Sequence, residues 1–289
     1  MRKGRAIEAL RVQRERTLAR LASLEAADWN RDCLPGWQVR DVAAHLVASD
    51  QGAVTGTIYR AMRARDRAVI ERWNDQAILA WRDRPPEELL AALERWGRRM
   101  LRLAALLPAP LGRIPVGGAY GTQPALFALY RRVQDEWVHE QDIAWAVGSP
   151  GGAGPVTVPP PLAVGQVLAS TALAAIRGCV LPDVPRTVGV LRLVVDPAPE
   201  GGTVSARPLL WGIDFARRQF GERVTAKPDA EVSLGAGVLS LLLLDRLRWT
   251  ELDGASLRID GDEGLAAALL DALPMTGRGT SGESSAAAS

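Results

Sequence analysis

Cysteine, histidine and lysine are scarce in this chain of 289 residues, which holds two of each. Cys33 and Cys179 lie far apart with no ligand spacing around them, which excludes a disulfide framework and a zinc finger. A reducing, cytoplasmic setting is the expectation that follows. Long hydrophobic runs are missing too. The longest apolar run, Val238 to Leu244 with Ser240 inside it, is far below the roughly 18 to 20 residues that cross a bilayer. Arg5, Arg11 and Arg14 break up the N-terminus, so neither a membrane span nor a signal peptide is expected. The chain also lacks an excess of one charge. Its 35 basic residues, nearly all arginine, are interleaved with 33 acids for a net charge of +2, which argues against a nucleic-acid partner. What is present is an ordinary globular composition, 47% hydrophobic and 24% charged, long enough for two domains with separate cores.

The first 150 residues read as four helices. Ile7, Leu10, Leu18, Leu21 and Leu24 recur at a helical period between Ala6 and Ala26. Pro35-Gly36 marks a turn, after which a second helix starts near Gln38 with Asp41 in its first turn and a stripe of Val39, Val42, Leu46, Ala53 and Val54. A third helix follows Arg84, tolerates Pro85 and Pro86 at its start, and stops at Pro108. A Gly-rich loop, Leu111 to Thr122, leads to a fourth helix from about Gln123 to Ala146, ended by Gly148-Ser149-Pro150. These make a four-helix bundle over residues 1–150.

Gly148 to Pro161 is rich in Gly and Pro and marks the domain boundary. Residues 151–275 read as an α+β domain. A helix is expected from Leu162 to Cys179, then a hairpin of Val188–Val195 with Thr203–Trp211 across Gly201-Gly202. Short strands follow at Val224–Thr225, Glu231–Leu234 and Ala255–Asp260, and helices at Val238–Leu247 and Glu263–Leu273. Residues 276–289 are Gly, Ser and Ala with little apolar bulk, the composition of a disordered tail.

The two histidines, His45 and His139, each lie on an expected bundle helix with an aspartate, Asp41 or Asp135, four residues earlier. That spacing puts acid and imidazole on one helical face, as in metal-sharing pairs, but ordinary solvated helices show it as well. On the fourth helix, Leu126, Tyr130, Val133, Trp137 and Ala144 mark an apolar side. Arg132, Asp135, Glu136, His139 and Glu140 share the other arc, which reads equally as a solvated face. Spacing alone leaves both readings open.

Two local stretches add to this. Cys33-Leu34-Pro35-Gly36-Trp37-Gln38-Val39-Arg40-Asp41-Val42-Ala43-Ala44-His45-Leu46 and Asp135-Glu136-Trp137-Val138-His139-Glu140-Gln141-Asp142-Ile143 resemble the signature blocks of the mycothiol-dependent maleylpyruvate isomerase-like family, one of the DinB-like metal-binding four-helix bundles. The resemblance implies a divalent metal, zinc-like in its ligand preferences, held by His45, Asp135 and His139. Asp135 stands where the motif more often has Glu, and Glu136 is the alternative third ligand. A small-molecule substrate and mycothiol or a similar thiol as cosubstrate are implied in turn, since a metal-bound thiol ionises and becomes a nucleophile. In the isomerase, thiolate addition to a cis double bond allows rotation before elimination.

Asp142 and Asp41 are candidates to orient the imidazoles of His139 and His45, although an acid at the third position of a helix has a capping role of its own. Cys33 fits a small packing residue better than a reactive thiol. Arg131 and Arg132 read as ordinary helix pairs with Asp135 and Glu136 and are left out of the site.

The run from Asp229 to Leu234 with its following helix, and that from Ala255 to Asp262 with the next, resemble the sterol-carrier-like domain that follows the bundle in this family. The Leu239–Leu244 stretch reads as core. Two functions of different class remain: a metal- and thiol-dependent isomerase or transferase, or a non-enzymatic carrier of an apolar ligand whose bundle metal is structural or vestigial. A bundle without metal is a third reading. Substrate identity and oligomeric state are not written in the sequence.

Overall fold

Four long helices carry most of the first half of the chain, and each begins or ends where its local sequence dictates. The computed structural model describes residues 2–63, 67–108, 110–118, 121–148, 159–182, 184, 187–197, 207–224 and 226–275. It divides into two compact units, Met1–Val158 and Pro159–Ser289. The expected tail at 276–289 lies outside the described residues, as do residues 149–158 of the Gly/Pro-rich boundary segment.

In the first unit, α1 (Lys3–Ala22) is followed by a small hairpin of β1 (Asp32–Leu34) and β2 (Trp37–Gln38), turned at Gly36 with φ of 78°. Next come α2 (Val39–Thr55), α3 (Thr57–Arg63), α4 (Arg67–Leu79) and α5 (Pro86–Leu106). A two-stranded ladder, β3 (Pro115–Gly118) with β4 (Gly121–Pro124), leads into α6 (Ala125–Gly148).

The start of α2 is fixed by a capping box in which the Gln38 backbone N–H donates to Asp41 Oδ2 at 2.9 Å, and its end by Gly56 in the left-handed region. Pro86, with Glu87 and Glu88 in the first turn, opens α5. Lys3 closes that helix from across the bundle, its Nζ donating to the carbonyls of Ala105 and Leu107 at 2.7 and 2.9 Å.

Helices α1, α6, α2 and α5 pack as a closed ring of neighbours, and this is the expected four-helix bundle. Leu21, Val39, Val42, Leu46, Leu89, Leu93 and Ile143 meet in a core cluster with Trp29. Each fully buried Leu or Val there contributes roughly 1.5–3 kcal/mol. Helices α3 and α4 and the two short hairpins were not foreseen. The β3/β4 ladder forms mostly inside the Leu111–Thr122 stretch read from its glycines as a loop, and its last two residues, Gln123 and Pro124, take the expected start of the fourth helix.

In the second unit, α7 (Leu162–Ala175) continues through a π-helical turn at Ile176–Val180. Leu162–Val180 is the one described stretch long and apolar enough to cross a membrane by length and composition, and 61% of its window is buried inside the fold. A helix is expected there from Leu162 to Cys179, and the structure forms it. Then follow β5 (Val190–Asp196), β6 (Leu209–Asp214), β7 (Gln219–Gly221), β8 (Ala230–Gly235), α8 (Ala236–Leu243), β9 (Leu257–Gly261) and α9 (Glu263–Leu270).

The sheet order is β7-β6-β5-β8-β9, with β5 and β8 parallel and the other pairs antiparallel. The expected hairpin is the β5/β6 pair. Its second strand is described from Leu209, and residues 198–206, which include the expected start at Thr203, lie outside the described residues. Of the strand expected at Val224–Thr225, Thr225 lies outside the described residues; β7 ends at Gly221, and Val224 packs over Gly212.

Alternation decides which face of the sheet is covered. Leu191, Leu193 and Val195 of β5 and Ala230, Val232 and Leu234 of β8 are buried, and α7, α8 and α9 contact these two strands. Gly165 of α7 is where helix and strand end meet most closely. A Cβ there would lie 1.9 Å from the Pro197 carbonyl oxygen, so no other residue fits without moving backbone.

Candidate metal centre

Helix α6 is where periodicity misleads. The arc of Glu136, His139 and Glu140, read equally as a solvated face, is buried, as are Gln134, Gln141 and Asp142 on the same helix. A helix face so deeply buried yet rich in acids needs counter-charges inside the fold, and that requirement builds the site.

His45 of α2 and His139 of α6 face one another with ring centroids 5.1 Å apart at 71°. Asp135 sits between them. Its Oδ2 lies 3.7 Å from His45 Nε2 and its Oδ1 lies 3.7 Å from His139 Nε2. One ligand atom from each of His45, Asp135 and His139 falls within 4.8 Å of the others. A separation of 3.7 Å is too long for a hydrogen bond. Donors placed tetrahedrally around a zinc-sized ion at its usual bond lengths would stand about 3.3 Å apart, so these three would have to draw together from separations of up to 4.8 Å to share one cation.

The imidazoles are held in different ways. His139 Nδ1 is 2.9 Å from Asp142 Oδ2, which fixes the ring and, with the proton on Nδ1, turns the Nε2 lone pair toward Asp135. His45 has no such partner. Its Nδ1 is buried without a hydrogen bond among the described residues, and the ring stacks at a tilt on Trp37, with centroids 5.3 Å apart. Burial pushes the His45 pKa below its ordinary value, against the opposing pull of Asp135, and so favours the neutral ring that a metal requires. Burial alone would raise the pKa of Asp135. The imidazoles of His45 and His139 and the Arg132 guanidinium overcome that and keep it an anion well below the usual carboxylate range.

A charged network lies against this cluster. Arg14 of α1 grips Glu136 with Nε and Nη2, each at 2.6 Å, and reaches Asp50 of α2 with Nη1 at 2.7 Å. Its Nη1 also donates to the Leu93 carbonyl of α5 at 3.0 Å. Arg132 donates through Nε to Asp50 Oδ1 at 2.9 Å and stands 3.2 Å from Glu136 Oε2. It reaches Asp135 Oδ2 at 3.4 Å and the Leu46 carbonyl at 3.3 Å.

Burial disfavours the charge on both guanidiniums, yet their carboxylate partners outweigh it and raise both pKa values above the usual arginine range. Gly97 of α5 makes room for this network. A Cβ at that position would lie 1.8 Å from Arg14 Nη1. Glu140 takes its own partners from α1, accepting from Gln13 Nε2 at 2.7 Å and pairing with Arg16 at 3.2 Å.

The structure thus brings His45, Asp135 and His139 together and sets Asp142 behind His139. Glu136 does not join them, because both of its carboxylate oxygens are engaged by Arg14. Asp41 does not orient His45 either. It caps α2 and pairs with Arg82 Nε at 2.7 Å, the helix-start role that its position allows. Cys33 packs against the core cluster. Arg131 donates to Gln134 at 3.1 Å, whereas Arg132, read as a simple helix pair, is a buried neighbour of Asp135.

Sequence reasoning missed Arg14, Asp50 and Arg132 as a unit. One signal was available: Asp50 is the only charged residue between Val42 and Thr55, and a lone charge in so apolar a helix demands a counter-charge.

Comparison with known proteins gives a family match over part of the chain and a fold. Residues 10–144 match the family model described as the mycothiol maleylpyruvate isomerase N-terminal domain. The crystal structure of the mycothiol-dependent maleylpyruvate isomerase is similar at a TM-score of 0.52 and 14% identity, covering 86% of this chain and 90% of that one. A mutant of that enzyme aligns at 0.53 and 14%, covering 90% and 93%. Sterol carrier protein 2-like 2 from Aedes aegypti aligns over 37% of this chain and 93% of its own, at 22% identity and a TM-score of 0.28. No curated protein sequence matches.

Proposed function

We propose, from the premise that residues 10–144 belong to the mycothiol maleylpyruvate isomerase N-terminal domain family, that this chain is a metal-dependent enzyme acting through a low-molecular-weight thiol. His45, Asp135 and His139 are the ligands in this reading. The observation that carries it is the convergence of these three donors within 4.8 Å, two imidazoles and one carboxylate drawn from two helices. That donor set suits a divalent ion of the zinc class. Bound there, such an ion would leave a coordination position open and lower the pKa of a thiol placed at it.

The chain's own residues supply orientation and charge. Asp142 holds His139, burial keeps His45 neutral, and Asp135 supplies an anion against the two rings. A thiolate of the mycothiol type that adds to an activated cis double bond leaves a single bond free to rotate. Its expulsion restores both the double bond and the thiol, so isomerisation consumes nothing. Transfer of the thiol to an acceptor is the related outcome if expulsion does not follow. The substrate is a small molecule in either case.

The test is elemental mass spectrometry on protein purified without chelators, beside His45→Ala and His139→Ala, followed by a screen for turnover that requires added thiol. Near-stoichiometric divalent metal in the wild type, lost in both variants while their melting transitions persist, is the expected result. Wild-type protein that takes up no metal even after reconstitution would overturn the reading, and the apolar-ligand carrier would take its place.

A further inference from the structure

The ligand carboxylate is not oriented by a hydrogen bond from either imidazole, since both Nε2 atoms stand 3.7 Å away. The geometry points to Arg132 as the positioning residue of the centre: its guanidinium fork holds Asp135 in place, and the fork is itself clamped by Asp50 and Glu136. This rests on the metal reading above and adds to it a residue that touches no metal.

Three observations support the assignment. First, the fork is used on opposite edges. Nε is committed to Asp50 at 2.9 Å, while Nη1 faces Asp135 Oδ2 at 3.4 Å, so the first contact sets the direction of the second. Second, the clamp is itself fixed, because Arg14 holds Asp50 and Glu136 at 2.7 and 2.6 Å from α1, and all these side chains are nearly or wholly buried. Third, the charges balance. Arg14 and Arg132 offset Asp50 and Glu136, which leaves the Asp135 anion as the charge the network does not neutralise, directed at the two imidazoles. A divalent cation in that place meets a carboxylate whose position is set before it arrives. Only a planar fork can make these contacts together, and an ammonium cannot.

The experiment is zinc affinity, measured with ZnCl2 against a chromogenic chelator on the full chain. It compares wild type, Arg132→Gln, Arg132→Lys, Asp50→Asn and, as a control, Glu140→Gln, with melting curves to establish folding. Arg132→Gln is expected to weaken zinc binding by about 10- to 100-fold, the usual effect of losing a partner behind a ligand. Asp50→Asn, which removes neither a ligand nor a ligand's neighbour, should cost about tenfold and carries the test if Arg132→Gln does not fold. Arg132→Lys keeps the charge without the fork and should stay weakened. Glu140→Gln disturbs an equally buried acid on α6 that is paired elsewhere, and should bind as wild type does.

The ligand-field spectrum of the cobalt(II) form should shift in Arg132→Gln and not in Glu140→Gln, a change that loss of stability alone does not produce. Wild-type affinity in both Arg132→Gln and Asp50→Asn, or full recovery in Arg132→Lys, would overturn the positioning role while leaving the metal reading intact. Absence of zinc from the wild type would overturn both.

Discussion

Replacing Glu136 with Gln separates a structural acid from a metal ligand. The Glu136 side chain is fully buried, and its two oxygens accept from Arg14 Nε and Nη2 at 2.6 Å each, with Arg132 Nη2 at 3.2 Å. Glutamine keeps the shape but turns an amide N–H₂ toward guanidinium N–H groups. Asp50 is then left as the one anion between two buried cations. Removing one partner of a buried, well-aligned pair costs about 3–5 kcal/mol. For a unit of this size that loss lowers Tm by about 6–20 °C.

Thermal melting followed by tryptophan fluorescence reads the affected unit, because seven of the nine tryptophans lie before residue 159. Glu8→Gln is the control. It breaks an Arg11 pair at 2.8 Å whose side chains are more than half exposed, and pairs of that kind are worth about 0–1 kcal/mol. With saturating ZnCl2, Glu136→Gln should still take up the wild-type amount of metal, since no ligand atom has been removed. A Tm within about 2 °C of wild type would refute the buried pair. Loss of metal stoichiometry at temperatures where the variant is folded would return Glu136 to the ligand set.

Three further outcomes are expected. Asp142→Asn, which takes the carboxylate from behind His139 Nδ1, should weaken zinc binding by about 10- to 100-fold with little change in Tm, and an unchanged affinity by chelator competition would contradict that role. The metal-free protein should lose stability as pH falls below about 6.5. Burial depresses the folded pKa of His45 under its unfolded value, so below that value the unfolded chain binds more protons. Urea titrations from pH 7.5 to 5 should show this slope, reduced in His45→Gln, and a slope of opposite sign would exclude it. Ser240→Ala should leave the second unit unchanged or stabilise it by about 1 kcal/mol, because the Ser240 hydroxyl is buried in α8 without a partner among the described residues. A clear drop in the urea midpoint would show that the hydroxyl is bonded in solution.

The bundle was legible because its signals are local. Pro86 sits at a helix start, Asp41 lies in the first turn of α2, and the apolar stripe of α2 repeats at the helical period. The alternation in β5 and β8 likewise gives strands with one buried face. Helices α3 and α4 were missed because the stretch after Gly56 mixes charge and apolar residues without a clear stripe. The fourth helix was harder still. Periodicity assumes that polar means solvated, and α6 violates the assumption by meeting arginines from α1 and from its own face inside the fold.

Sequence alone determined the four long helices of the bundle, the order of the two units and the three residues whose types and motif context suit a metal. Those are properties of nearest neighbours along the chain and of chemical type, which no packing can alter. Only the tertiary structure decided that His45 and His139, 94 positions apart, face one carboxylate; that Glu136 belongs to Arg14 and Asp41 to a helix cap; and that Arg132 stands beside the ligand. Those choices depend on which helix lies opposite which. A buried charge is satisfied by whatever cation its neighbours deliver, and spacing along one helix carries no record of the next.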